Sequence, residues 1–263
     1  MMNDTAYFFQ AVEYYTTRRP YFYTFVRPYE LELFHKLTPV FKRPILDFGC
    51  GDGFFARFLS ELAPIDYGVD SDPTILPEAQ HVYTQVIRSD KTSIPLPSES
   101  VRTIFSNSVF EHLHQPAPMI QELYRLLEPE GKLFATITAK QWEQFLLGAK
   151  WVGTPYLKWF RKIQRHHAWL TYDEWQKMFC QAGFRINNML GYLDPYHVRM
   201  IEVYHYLSLP VFLSKAAFGK WETPLTSVIN NALALCARPS LQEATIDLTS
   251  APCVFFEVEK PAM

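Results

Sequence analysis

The first forty residues carry ten aromatic side chains between Tyr7 and Tyr29 and read as helical, broken at Pro20 and Pro28. Arg43 to Phe48 is a short apolar run, the pattern of a buried strand. Phe54 to Leu62 then places Phe55, Phe58, Leu59 and Leu62 at helical spacing. Asp66 to Asp70, Val82 to Arg88, Val101 to Asn107 and Lys132 to Thr138 predict four more strands. Pro116 opens a helix with Ile120, Leu123, Tyr124 and Leu127 on one face, and Pro129 and Gly131 close it. Strands alternating with helices over about a hundred residues predict a parallel sheet with helices on both faces.

The rhythm changes after Thr138. Thr154-Pro155 predicts a helix start, with Thr154 as N-cap and Pro155 in the first turn. Thr171 to Glu174 matches a capping box and opens a helix with Trp175, Met178, Phe179 and Ala182 on one face, ending at Gly183. Phe184 to Tyr192 reads as a sixth strand, Tyr196 to Ala237 as largely helical, and Val254 to Glu259 as a last strand. The expected organisation is an α/β core over 43–263. A helical lid covers it from 1–42, and helical inserts follow strands 5 and 6 at about 139–170 and 194–250.

Composition narrows the function. The chain has 263 residues, 48% hydrophobic and 20% charged, enough for a core that needs no disulfide or metal. Its 25 basic and 27 acidic residues leave a net charge of -2, which argues against a general nucleic-acid binder. Cys50, Cys180, Cys236 and Cys253 form no C-x-x-C pair and read as free thiols of a reducing compartment. Met1 to Gln10 has no signal-peptide pattern. Ile201 to Phe218, interrupted by Glu202, His205 and Lys215, is a poor membrane span. A cytoplasmic protein is expected, with membrane association left open.

Three of only ten glycines fall within Gly49-Cys50-Gly51-Asp52-Gly53, between a strand and a helix. Such a turn lets backbone N–H groups approach a ligand closely. Asp70 ends the next strand about twenty residues on, where an acid accepts from ribose hydroxyls in dinucleotide-binding folds. The dehydrogenase fingerprint fails at Phe54, and no G-K-[ST] follows to make a P-loop. Asp47 and Asp52 would repel a pyrophosphate but tolerate an ammonium and a sulfonium.

Ile45 to Gly53 resembles the first motif of class I S-adenosylmethionine-dependent methyltransferases, and Gly68-Val69-Asp70 their ribose-binding motif. Arg88-Ser89-Asp90 with Ile94-Pro95-Leu96 resembles the adenine segment. Thr103 to Leu113 is similar to their fourth-strand motif, and Leu126 to Leu133 to the turn before strand 5. The likeness covers residues 43–138, with more at Trp175 to Phe184. One departure is Arg102, where relatives often carry an acid. The resemblance implies a Rossmann-like, seven-stranded, mostly parallel sheet and S-adenosylmethionine as cofactor, with S-adenosylhomocysteine as product. It implies that Asp47, Gly49, Gly51 and Gly53, with Cys50 and Phe54 among them, shape the methionine end. Asp70 with Ser71 would hold the ribose, and Asp90 with Lys91 the adenine. Asn107, Ser108 and Phe110 would line the floor near the sulfonium. In such relatives an amino-terminal segment often closes the pocket, so Tyr15 or Arg19 would reach the cofactor carboxylate.

The protein's main task in methyl transfer is alignment, but a hydroxyl acceptor also needs a base. His112, His166 and His167 are the candidates, with His114 nearby. The last two are expected to end the helix beginning at Pro155, where the dipole favours their charged form. No metal is expected, because His112 and His114 have no third ligand at helpful spacing. Lys158, Arg161, Lys162 and Arg165 share one helix face, with Tyr156, Trp159, Phe160 and Ile163 opposite, and no acid stands between Lys150 and His167. This face reads either as a solvated surface or as contact with an anionic partner, including a membrane touched through 155–167 and 207–221. The expected enzyme is a methyltransferase of a biosynthetic pathway, acting at oxygen of a small-molecule, glycan-linked or lipid-linked acceptor. The alternatives are an N- or C-methyltransferase and a non-catalytic cofactor-binding subunit; no nucleic-acid partner is expected.

Overall fold

In the computed structural model, residues 4–59, 65–74, 76–90, 92–219, 221, 232–233, 236 and 246–262 are described. Seven strands form one sheet: β1 (Ile45–Phe48), β2 (Ile65–Asp70), β3 (Tyr83–Arg88), β4 (Val101–Asn107), β5 (Leu127–Thr138), β6 (Arg185–Tyr192) and β7 (Cys253–Glu259). Their order is β3-β2-β1-β4-β5-β7-β6. β1 to β5 run parallel, and β7 lies antiparallel between β5 and β6. This is the seven-stranded, Rossmann-like α/β arrangement expected from the sequence.

Period-two alternation sorts the strand residues between two cores. Ile45, Phe105, Phe134 and Phe255 face one layer, which holds α1 (Asp4–Arg18), α2 (Arg27–Leu37) and α3 (Phe54–Phe58). Leu46, Ile104, Leu133 and Val254 face the other, against Ile120 and Leu123 of α5 (Pro116–Leu126) and Trp175 and Phe179 of α8 (Tyr172–Gln181). The short α4 (Leu76–Ala79) leads into β3.

Several boundaries differ from expectation. The helix after the glycine turn stops at Phe58, and Ser60 to Leu62 lie outside the described residues. α5 stops at Leu126, and Leu127 already belongs to β5, so Pro129 and Gly131 sit inside a strand. A tertiary partner decides this: Glu130 N donates to Lys260 O (2.8 Å) and Lys260 N to Gly131 O (2.9 Å). The pairing with β4 absorbs the irregularity as a register shift between Val101 and Thr103.

α6 (Leu147–Val152) and α7 (Thr154–Gln164) form the first insert. Gly153, at φ +71°, is the N-cap of α7, and Thr154 is its first helical residue rather than its cap. Thr171 does close the predicted capping box, donating from its N to Glu174 Oε2 (2.8 Å). The second insert is α9 (Pro195–Leu207), capped by Asp194, then α10 (Leu209–Phe218) after a break at Ser208. The remainder of the expected helix, to Ala237, lies mostly outside the described residues.

Buried Glu202 of α9 ties the inserts together. Its carboxylate accepts from Leu147 N (2.5 Å), Gly148 N (2.8 Å) and the Tyr156 hydroxyl. The amino-terminal segment packs on the same helix, with Phe25 on Tyr204 (4.8 Å between centroids) and Phe22 on His205 (5.2 Å). The amino-terminal segment and both inserts therefore meet through α9.

Candidate cofactor pocket and histidine cluster

The chain turns from β1 into α3 across five residues, and Gly49, Gly51 and Gly53 all have positive φ. A Cβ on Gly49 would come within 2.3 Å of Val109 Cγ2, so the close approach of the loop after β4 requires glycine there. A Cβ on Gly51 would find nothing within 4 Å. Gly51 thus offers bare backbone to an open space. Asp70 braces this turn: its Oδ2 accepts from Gly51 N and its Oδ1 from Asp72 N, both at 3.0 Å. A carboxylate with one bond to each oxygen keeps lone pairs for hydroxyl donors.

Phe48, Gly49, Asp70, Ser71, Ser89, Val109, Leu113 and Met119 line a pocket here. It sits at the carboxyl ends of β1, β2 and β4, where strand order reverses direction about β1. The one charged residue in that lining is Asp70. Bare glycine backbone and a hydroxyl-accepting acid that is itself negatively charged suit a cofactor with ribose hydroxyls and positive charge.

Other expected residues are placed differently. Asp47 is 4% exposed and accepts from the Tyr83 hydroxyl (2.6 Å), behind the turn; burial pushes its pKa up to about 7. Cys50 is buried, and burial raises its thiol pKa. Phe110 is a correction: its ring is fully buried against Phe48 and Phe179, so it supports the pocket from within the core instead of lining it. Asn107 Oδ1 accepts from the Thr136 hydroxyl (2.8 Å). Asp90 is exposed and gathers its own loop, accepting from Thr92 N (2.9 Å) and Ser93 N (2.6 Å); these bonds hold its pKa down to about 2. Lys91 lies outside the described residues.

The amino-terminal helix rests on the glycine turn. Arg19 pairs with Asp52, and its guanidinium lies 3.7 Å from the Phe54 ring centroid. Tyr14 stacks on Phe54 (4.3 Å), and Tyr15 is buried edge-on to the same ring (5.2 Å). A further contact was not anticipated. Ser108, at φ +53°, donates its hydroxyl to Glu30 Oε1 (2.9 Å) and accepts from Arg27 Nη1 (2.9 Å). Tyr192 also donates to Glu30 Oε1 (2.9 Å), and Glu30 is completely buried. The sequence signal was an acid and a base, Arg27 and Glu30, inside an aromatic run, one helical turn apart.

The histidines come together from two segments. Backbone N–H groups of His167 (2.8 Å) and Ala168 (3.0 Å) donate to Glu111 O. His166 then lies 5.1 Å from His112 between ring centroids, and His167 stacks on His114 at 3.7 Å. Contrary to expectation, His166 and His167 do not end α7. The helix stops at Gln164, and Arg165 turns into the left-handed region. Favourable helix-end charging is therefore absent. Burial, with the neighbouring His112 and His167 charges, pushes His166 down to about 3, and burial also lowers His167.

Residues 46–135 match the methyltransferase domain family. The likeness to that methyltransferase family covers the segment holding the glycine turn, Asp70 and the turn after β4. S-adenosylmethionine is the cofactor of that family, and the pocket chemistry above fits it. A "probable S-adenosylmethionine-dependent methyltransferase" of Mycolicibacterium smegmatis is 33% identical over 91 residues, 34% of this chain and 35% of that protein. The ubiquinone biosynthesis O-methyltransferase of Glaesserella parasuis is 28% identical over 172 residues, 60% of this chain and 71% of that one. This chain thus spans about a third of the length of the first of these relatives. Among solved structures, an S-adenosylmethionine-dependent methyltransferase of Thermotoga maritima shares the fold, with a TM-score of 0.55 at 16% identity over 91% of each chain. In this methyltransferase domain the family match ends before both inserts.

Proposed function

We propose that the chain transfers a methyl group from S-adenosylmethionine to an oxygen of a bulky, partly apolar acceptor, a lipid- or glycan-linked precursor in a biosynthetic pathway. The observation that carries this reading is the meeting, at one sheet edge, of the Gly51–Asp70 pocket with the histidine cluster: Val109 and Leu113 line the pocket, and Glu111 and His112 lie between them in sequence. When bound, S-adenosylmethionine supplies an activated sulfonium methyl. Asp70 and Ser71 would hold its ribose, and Gly49 to Gly53 would let its methionine end approach the backbone. Arg19 and Tyr15 of the lid would close over that end. His112, His166 and His167 are the groups placed near a hydroxyl acceptor; with its pKa held down to about 3 by burial, His166 is a weak proton acceptor, which leaves that task to His112 and His167.

The surface of the inserts supports an acceptor at a lipid interface. Trp151 (88% exposed), Leu209 (60%), Leu213 (61%) and Phe218 (78%) project from α6 and α10, and half-exposed Trp159 of α7 stacks on Tyr206 of α9. Exposed Lys150, Lys158 and Lys162 accompany them. Aromatic and aliphatic anchors with lysines match the chemistry of an anionic membrane surface. Arg161 is engaged with Glu143 and takes no part. Among the described residues, no helix is long and apolar enough to cross a membrane.

The test has two parts. Calorimetric titration with S-adenosylmethionine and S-adenosylhomocysteine should show one site. Methyl-labelled cofactor, incubated with the protein and a membrane extract, should place label in the organic phase as an alkali-stable ether. Binding without label transfer would leave a cofactor-binding subunit, and label on nitrogen would move the reaction to an amine. Cosedimentation with anionic, but not zwitterionic, vesicles checks the membrane contact; indifference to both at low salt would remove it.

A further inference from the structure

We propose that Glu111, His112 and His166 form a binding site for a divalent transition-metal ion, with Zn2+ the closest match to two imidazoles and one carboxylate. One ligand atom from each lies within 4.8 Å of the other two. An ion of this kind sits about 2.0–2.2 Å from each nitrogen or oxygen, so modest rotation of the two imidazoles closes the set. His112 is exposed and His166 half-buried, which leaves both rings room to turn.

Two independent features point to a ligand. The first is Glu111, which is only 1% exposed. Its Oε1 accepts from Thr138 N (3.2 Å), while its Oε2 is buried without a hydrogen-bond partner among the described residues. A buried carboxylate oxygen left bare is costly and calls for an explanation. The second is the orientation of His112. Its Nδ1 lies 3.1 Å from the carbonyl of Arg165. Donation there fixes the tautomer and leaves the Nε2 lone pair for a metal, the usual outer support of a ligating imidazole. The backbone fastens both halves of the site, because Glu111 O holds His167 N and Ala168 N. The carboxylate and one imidazole thus come from the turn after β4, and the second imidazole from the segment after α7.

Three protein ligands leave a coordination position open, as in catalytic rather than structural sites. An acceptor hydroxyl reaching that position would lose its proton more readily, with His167 left to receive it. This consequence rests on the proposed oxygen methylation; the site itself does not.

The experiment is titration of the chelator-treated full chain with Co2+, read by its visible ligand-field absorption, and with Zn2+, read by calorimetry. One equivalent is expected to bind. His166→Ala, His112→Ala and Glu111→Gln should each weaken binding at least tenfold, while His114→Ala and His167→Ala should leave it unchanged. Far-ultraviolet circular dichroism checks that each variant is folded, and Glu111→Gln retains an acceptor for Thr138 N. No saturable uptake, uptake indifferent to His166→Ala, or equal loss on His114→Ala would overturn the site. S-adenosylmethionine titration of the same samples separates the two readings. Cofactor binding without metal binding removes only the metal site, and metal binding without cofactor binding removes only the methyltransferase reading.

Discussion

The cofactor half, residues 43–138, and the cap built from the amino-terminal helices and inserts are held together by different physics. In the cofactor half, alternating apolar strand residues and a parallel backbone ladder do most of the work, and Asp70 braces its own neighbourhood through backbone N–H groups. The cap depends on buried charge used over long sequence distances: Glu30 joins α2 to Ser108 and Tyr192, and Glu202 joins α9 to α6 and α7. The first kind of structure follows from patterns a few residues long. The second requires partners that no local pattern identifies.

The largest test of this contrast is electrostatic and lies in the cofactor half. Asp47 has a folded-state pKa raised to about 7, so its contribution to stability is complete below its unfolded value and is lost as pH rises through 7. A shift of that size amounts to about 3–4 kcal/mol across pH 4–8. Thermal melts of Asp47→Asn over that range should show a flatter pH profile than the native chain; identical profiles would show that Asp47 titrates normally.

Next in size is the cap clamp. Glu202→Ala strands two backbone N–H groups and leaves the Tyr156 hydroxyl with Tyr206 alone, and should cost about 3 kcal/mol. Urea unfolding measures this, and a loss below 1 kcal/mol would mean that the inserts do not depend on this clamp. Cofactor affinity should hardly change if the two halves are as separate as the contrast implies.

Asp70→Ala should have the opposite profile. Removing the proposed ribose acceptor and the brace on Gly51 should weaken S-adenosylmethionine binding about a hundredfold, or ~2.7 kcal/mol, by calorimetry. Unchanged affinity would move the cofactor away from this pocket. The smallest effect belongs to Arg19→Ala at the seam between the halves. Its partly exposed pair with Asp52 is worth under about 1 kcal/mol in stability. A drop in cofactor affinity of several fold with unchanged melting would identify the amino-terminal helix as a working lid; no drop would leave it a packing element.

The sequence by itself determined the β1–β5 framework, the glycine turn, Asp70 at the end of β2 and the capping box at Thr171. Each is encoded within a few residues by period-two burial, by positive φ that glycine tolerates, or by reciprocal side-chain caps. The misread boundaries share one cause. Pro129 and Gly131 resemble a helix stop, but the ladder to Lys260 draws them into β5, and Gly153 rather than Thr154 caps α7. Only the tertiary structure decided which candidate groups beyond the cofactor pocket come together. Glu111 and His166 stand 55 positions apart, and Ser108 and Glu30 stand 78 apart, so no spacing rule connects them. They meet because β4 delivers one partner to the sheet edge and the cap returns the other, where backbone bonds from His167 and Ala168 to Glu111 hold the two segments together.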